Sequence, residues 1–385
     1  MPAGWLAFRF GLAKAANCGE VTGGACQLLM NGAGIASGVL VAFAGGGPIA
    51  GAAASLFHVK HRRPHRAGCR RHPRRIGETT MPSPPVTRIL CLGMSALDAI
   101  YRVPAIPATP TKVLATSFTE CGGGMAANAS VAVARLGGGV AYWGRLGDDQ
   151  LGDRILAQLG AEGVDVSGVR RIPGCVSPSA AILVDDQGER LVCAFNDPRL
   201  DADPGWLPRD RVRTFSAVLA DVRWPAGAAV VLDAARAAGR PAVLDGDVGP
   251  ETALLDLARR ASHAAFSEPG LARAAGTTAP GEGLRRIAAE VTGIVGVTLG
   301  PDGFLWLDGD RERRVPTPSI VAVDTLAAGD VWHGAFTLGL AEALDVEAAA
   351  RFANAAAAIK CTRFGGRLGA PTRSEVLAVL ARHSA

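Results

Sequence analysis

Continuous apolar runs and helical periodicity alternate along most of the chain. Residues 88–93 (Arg-Ile-Leu-Cys-Leu-Gly) form an apolar run closed by a glycine, the pattern of a strand buried on both faces. Similar runs recur near 217–221, 242–245, 263–266 and 294–299, with Ala/Arg-rich helical stretches between them. That alternation predicts a parallel sheet covered on both faces. Two regions differ. Residues at about 99–120 and 178–196 are alternating or rich in β-formers, and the turn 185–188 (Asp-Asp-Gln-Gly) makes a hairpin of 180–184 and 190–195. Residues 144–152 (Gly-Arg-Leu-Gly-Asp-Asp-Gln-Leu-Gly) read as a structural strand end and helix start. The run 320–323 predicts a strand or its end; after it Trp332, Phe336 and Leu340 fall on one helical line, with Val331 and Ala335 beside them. An Ala-rich helix capped by Asp345 is predicted from Val346 to about Cys361.

With 385 residues the chain accommodates one large α/β domain plus an extra segment. Its net charge of +5 is unevenly placed. Residues 1–80 hold ten Lys/Arg against two Glu, whereas residues 81–385 hold 30 Lys/Arg against 33 Asp/Glu. The globular part is mildly acidic, so the basic overall charge is no evidence for nucleic-acid binding, and no nucleic-acid partner is expected. Residues 21–57 carry no charge and are followed by a basic, His-containing cluster, a membrane-span pattern. The best window, 38–57, is too rich in glycine to make a good span, and a signal peptide fits badly because the basic residues follow the apolar run. Residues 1–80 are therefore expected to be a disordered or untranslated extension, with the folded domain at 81–385. The eight cysteines show neither a CxxC pair nor zinc-site spacing, in keeping with a reducing, cytoplasmic location.

The stretch that carries chemistry is Asp324-Thr325-Leu326-Ala327-Ala328-Gly329-Asp330. Small residues sit where a turn opens into a helix, so an anion could approach the first backbone amides, which lack intrahelical partners. Asp330 in that first turn is either a helix cap or a base placed beside an anion site. The wording resembles the C-terminal signature of the ribokinase (PfkB) family of sugar and nucleoside kinases, Asp-Thr-x-Gly-Ala-Gly-Asp. That resemblance implies a three-layer α/β/α fold with a mainly parallel sheet and a small β-sheet lid. It also implies ATP and Mg²⁺ as cofactors, a small-molecule sugar substrate and a homodimer formed through the lid. Asp330 would be the general base, with Ala327, Ala328 and Gly329 forming the anion hole. Ala327 replaces the first glycine of the signature, which is expected to remove access to positive φ there and reshape the hole.

Other segments fit the same resemblance. Asp98 follows the first strand and would hold sugar hydroxyls; a loop aspartate making its own turn is the alternative. Residues 121–128 (Cys-Gly-Gly-Gly-Met-Ala-Ala-Asn) lead into a helix and match a degenerate dinucleotide pattern, but they resemble the family's Gly-Gly-x-x-x-Asn, with Gly123, Gly124 and Asn128 facing the sugar. Thr298, Gly300 and Gly303 resemble the turn near the ATP phosphates, and Asn354 the adenine pocket. No G-x-x-x-x-G-K-[ST] is present, which excludes a P-loop enzyme. The family's Asn-x-x-Glu metal segment departs here to Ser267 and Gly270, leaving Glu268 as a water-mediated Mg²⁺ candidate.

Longer phrases, including 219–224, 243–247, 263–275 and 360–367, resemble the sulfofructose kinases. By that resemblance Lys112 and Arg223 would hold the sulfonate, while the third donor falls at Ala194, with Asn196 nearby. Fixed cations suit a permanent anion, and the same pair would suit a phosphate or carboxylate. A solvated Lys112 and an Arg223 in a structural ion pair are the alternatives. A nicotinamide oxidoreductase, a non-catalytic sugar sensor and a protein tethered to a membrane through residues 38–57 remain rival readings.

Overall fold

A computed structural model describes residues 87–200, 202–249 and 251–383. The expectations for residues 1–80, including the span at 38–57, lie outside the described residues. Among those described, no helix is long and apolar enough to cross a membrane.

In chain order the strands are β1 (Arg88–Gly93), β2 (Ala96–Arg102), β3 (Ser117–Gly123), β4 (Gly139–Gly147), β5 (Asp165–Ile172), β6 (Ser179–Val184), β7 (Arg190–Phe195), β8 (Ala217–Asp221), β9 (Ala242–Gly246), β10 (His263–Ser267), β11 (Ile294–Thr298), β12 (Phe304–Asp308) and β13 (Arg311–Val315). The helices are α1 (Met125–Arg135), α2 (Gln150–Ala161), α3 (Pro225–Ala237), α4 (Glu251–Arg260), α5 (Glu268–Ala275), α6 (Pro280–Ala288), α7 (Ala328–Ala341), α8 (Val346–Cys361) and α9 (Arg373–His383). Nine strands form one sheet in the order β13-β12-β11-β10-β9-β8-β1-β4-β5, parallel from β11 to β5.

Strand periodicity builds the layers. Ile89 and Cys91 point into a core shared with α1, α7 and α8, while Leu90 and Leu92 point into a second core under α3, α4, α5 and α6. Because β1 is buried on both faces, its sequence reads as an unbroken apolar run. Strand order reverses direction at β1, which lies between β8 and β4. The crevice outside the carboxyl ends of these strands is where open α/β sheets bind ligands. The chain leaves β1 through Met94 and Ser95 to enter a separate four-stranded sheet, β3-β2-β6-β7. This is the small β-sheet expected from the sequence.

Two local expectations are corrected, and one pair of strands is added. Residues 320–323 form no strand: Val321 is 86% exposed, and the Val323 amide bonds Cys361 O at the end of α8. Pro316 and Pro318 also interrupt the donors that an extension of the sheet beyond β13 would need. The region 99–120 is two strands separated by an irregular stretch containing Pro104, Pro107 and Pro110. Finally, the antiparallel edge pair β12 and β13 was not foreseen, since Arg-Glu-Arg-Arg-Val is an exposed, charged edge strand without an apolar run.

Candidate active site

Asp330 is the third residue of α7, and the residue before that helix is Ala327. Its carboxylate does not cap the helix; Oδ2 accepts from Asn128 Nδ2 at 2.7 Å. One hydrogen bond therefore joins the end of the sequence signature at 324–330 to the helix that follows the Gly-rich segment. Ala327 has φ 63, in the left-handed region. The expected loss of positive φ at this position is thus incorrect: the turn keeps the conformation a glycine would take, at the steric cost of a Cβ. A Cβ added to Gly329 would meet no atom within 4 Å, so Gly329 borders open cleft.

The electrostatics suit a base. Burial pushes the Asp330 carboxyl up to about 7; the Asp245 carboxylate pushes the same way, and the Asn128 hydrogen bond opposes them. Asp330 keeps a partly open face toward the cleft while protein closes around its other sides. Asp245 is 3% exposed and held well above the usual carboxylate range, first by burial and then by Asp247 and Asp221. His333, one turn beyond Asp330, is also buried: Nδ1 lies 2.8 Å from Gly329 O and Nε2 3.1 Å from Ala265 O, while Asp245 is 3.5 Å away. It braces the first turn of α7 against β10. Sequence reasoning missed it, and only its helical spacing from Asp330 could have marked it.

Across the cleft from the turn, Asp98 on β2 is 8% exposed, and burial raises its carboxyl to about 6 against the pull of Arg367. A Cβ at Gly123 would come within 2.1 Å of the Asp98 carboxylate, so the glycine leaves room for it. Gly124 has φ 90 and packs on the backbone of Met94 and Ser95 at the mouth of α1. Asp98, Gly123, Gly124 and Asn128 therefore lie along one path that ends at Asp330. The strand that leads into this segment, β3, pairs antiparallel with β2 in the small sheet and belongs to no βαβ unit, so the context of a dinucleotide fingerprint is missing.

Asp221 is the hidden organiser of this region. Fully buried at the end of β8, it accepts from Met94 N (2.8 Å), Ala126 N (3.1 Å) and Arg223 N (2.8 Å). It thereby fixes the lid hinge, the start of α1 and the loop carrying Arg223 together. A small cavity at that junction is lined by Ser95, Arg145, Asn196 and Arg223 among others. The Arg145 guanidinium lies 4.2 Å from the Trp224 ring centre, and Arg223 pairs with Asp247 at 3.6 Å. Ser95 Oγ is buried there beside the Tyr142 hydroxyl. Arg145, read from sequence as purely structural, thus stands beside Arg223. Lys112 does not join them; it is exposed in the irregular stretch between β2 and β3.

A larger cavity of about 440 Å³ opens on the other side of the turn. Thr298, Gly300, Gly303 and Asn354 all line it, together with Ala328 and Gly329, so it reaches the turn that opens α7. Asn354 is engaged within the wall: Oδ1 accepts from Trp332 Nε1 at 2.7 Å, and Nδ2 donates to Val315 O (2.9 Å) and Pro316 O (3.2 Å). Its polar atoms hold the cavity in shape.

The metal segment has a steric explanation. A Cβ at Gly270 would come within 2.0 Å of Gly246 O, which leaves no room for a glutamate at that position. Ser267 caps α5 through Gly270 N and donates to Asp247 Oδ1 at 2.8 Å. Glu268 is exposed at the start of α5. Among the described residues no group of three His, Cys, Asp or Glu is placed to hold a metal. A magnesium ion carried by a nucleotide requires less, since one or two carboxylates and the phosphates suffice; the partly open Asp247 fits that need.

Comparison with known proteins agrees with this geometry. The chain is 30% identical to the ribokinase of Bacillus subtilis over 75% of its own length and 97% of that protein's. It is 29% identical to the fructokinase of Vibrio alginolyticus, covering 68% and 92%. The crystal structure of a "putative ribokinase" from Agrobacterium tumefaciens superposes with a TM-score of 0.75 at 42% identity, over 78% of this chain and 99% of that one. Residues 86–373 match the pfkB family carbohydrate kinase model, and the chain belongs to that family of phosphotransferases.

Proposed function

We propose that this kinase transfers the γ-phosphoryl group of ATP to a primary hydroxyl of an anionic ketose, with 6-deoxy-6-sulfofructose, phosphorylated at O1, as the substrate that best fits. Kinases of this family use ATP with Mg²⁺. The observation that carries the chemistry is the Asn128–Asp330 hydrogen bond beside the bare amides of the turn. Asp330 takes the hydroxyl proton as the sugar oxygen bonds to the γ-phosphorus and ADP leaves, a role worth about 10²–10⁴ in rate. The amides of Ala327, Ala328 and Gly329 stabilise the charge on the transferring group. Asp98, Gly123, Gly124 and Asn128 orient the sugar, while Thr298, Gly300, Gly303 and Asn354 shape the nucleotide cavity. Asp247, and Glu268 through water, would hold a nucleotide-borne Mg²⁺, which would supply neutralisation of the phosphate charge.

The anionic reading is supported by the cavity that brings Arg145 and Arg223 together with Asn196 and Ser95. Asn196 stands where a donor is needed now that the expected third position is Ala194. Lys112 would reach the anion only with movement of the lid. A phosphate or carboxylate at the same end of the sugar would use the same groups. Replacing Arg223 by Gln should raise KM for sulfofructose by about 10–100-fold, the worth of a hydrogen bond to a charged group, and barely change KM for fructose. Equal losses on both sugars would count against an anion subsite. The lid also exposes Phe118, Leu191, Val192 and Phe195, and a second copy of the chain would cover them in a homodimer. Sedimentation equilibrium of the full chain tests this, and a monomer at micromolar concentration would contradict it.

A further inference from the structure

Lys360, in the last turn of α8, has no part in the chemistry above, yet its side chain is fully buried. Nζ donates to Asp324 O at 2.7 Å and lies 3.2 Å from Asp324 Oδ2. The same carboxylate oxygen accepts from Gly365 N and Gly366 N at 3.0 Å each, while Oδ1 accepts from Leu326 N at 2.8 Å. Cys361 O takes the amides of Val323 (2.7 Å) and Asp324 (3.1 Å). Asp324 is therefore held from the end of α8 and from the loop after it, immediately before the turn that reaches Asp330.

A buried ion pair is weak evidence for stability, because well-packed apolar residues often do as well. What such a pair does supply is fixed position. The turn needs that, since Ala327, Ala328 and Gly329 have no side chains that could anchor it. Ala327 is moreover held at φ 63, a conformation that persists only where the surroundings enforce it. α7 restrains one end of the turn; Asp324 restrains the other.

We infer that Lys360 is a positioning residue: its ammonium is a built-in cation that fixes Asp324 and, through it, aligns the amides of residues 327–329 with the phosphoryl group. The inference rests on the reading of that turn as the phosphoryl site. The test uses steady-state kinetics of the full chain with Mg·ATP and the sugar it turns over fastest. Lys360→Ala should lower kcat by about 10²-fold, the cost of a misplacement near 1 Å, with the sugar KM within about two-fold. Ammonium or methylammonium should restore much of the lost rate by refilling the vacated space. Tetramethylammonium, which has no N–H, should not. Retained kcat, or a loss that no small amine reverses in a variant with wild-type melting, would overturn the inference. Should that variant fail to fold, the wild-type chain gives the answer. Its kcat should be the same with tetramethylammonium as the sole monovalent cation and after K⁺ or Na⁺ is added at constant ionic strength. Several-fold activation by either ion would show that a free cation completes the turn, and that Lys360 does not. Gly329→Ala, measured alongside, separates the two levels: unchanged kcat in that variant would remove the turn itself from phosphoryl binding.

Discussion

Replacing Asp330 by Asn should stabilise the protein at neutral and higher pH while nearly abolishing turnover. The carboxyl titrates at about 7 in the folded chain and near 3.8 ordinarily, and burial is the main cause. Below about pH 4 it is neutral in both states, so ionisation contributes nothing to stability. As pH rises, the unfolded chain releases the proton first, and the stability contributed by the neutral folded form is lost as pH passes through about 7. Asn cannot ionise, and its amide oxygen still accepts from Asn128. The variant's advantage should therefore open between about pH 4 and 7 and be complete above that window. The full difference in titration corresponds to about 4 kcal/mol, and the open face on the cleft reduces this to about 2 kcal/mol. In a domain of this size that is about 4 °C in Tm. Thermal unfolding of both proteins at pH 4.5 and pH 8 measures the effect. Equal melting at both pH values, or a variant less stable at pH 8, would refute the idea that a buried charge is held at this position at the expense of stability.

Three further outcomes follow from the same geometry. The kcat/KM profile should climb about ten-fold per pH unit up to about 7 and then level off, because Asp330 must be ionised to act; a flat profile from pH 5 to 8 would contradict that role. Ala327→Gly should relieve about 1–2 kcal/mol of left-handed strain and lose about half of that to the freer unfolded chain, a net gain of about 1–2 °C in Tm with activity preserved; a lower Tm would show that Ala327 is not strained. Gly329→Ala should melt like the wild type, since its Cβ meets nothing, and should lose turnover about 10²-fold as the methyl enters the anion site; calorimetry and ADP release check the two halves.

Strands buried on both faces were the most legible part of the chain, which is why β1, β8, β9, β10 and β11 stand where apolar runs predict them. Edge strands carry no such signal: β13 is charged, and β5 is only half-buried. The placement of Asp330 and of the glycines near Asp98 at helix starts could be read because that pattern is local, a carboxylate or bare backbone beside the first turn. Contacts between distant residues could not be read in the same way. Nothing in the order of residues says that Arg145 and Arg223 line one cavity, that Asp221 ties Met94 to Ala126, or that Lys360 reaches Asp324. Ala327 failed for a different reason: propensity disfavours positive φ in alanine, and the packing around the turn overrides it.

The most direct test of the account is ADP release by the full chain with Mg·ATP and a panel of sulfofructose, fructose, fructose 6-phosphate, fructose 1-phosphate, ribose and 2-keto-3-deoxygluconate. The highest kcat/KM is expected for sulfofructose, well above that for fructose. A preference for ribose or unsubstituted fructose would contradict the anionic substrate, and no turnover of any sugar would contradict the catalytic reading of Asp330.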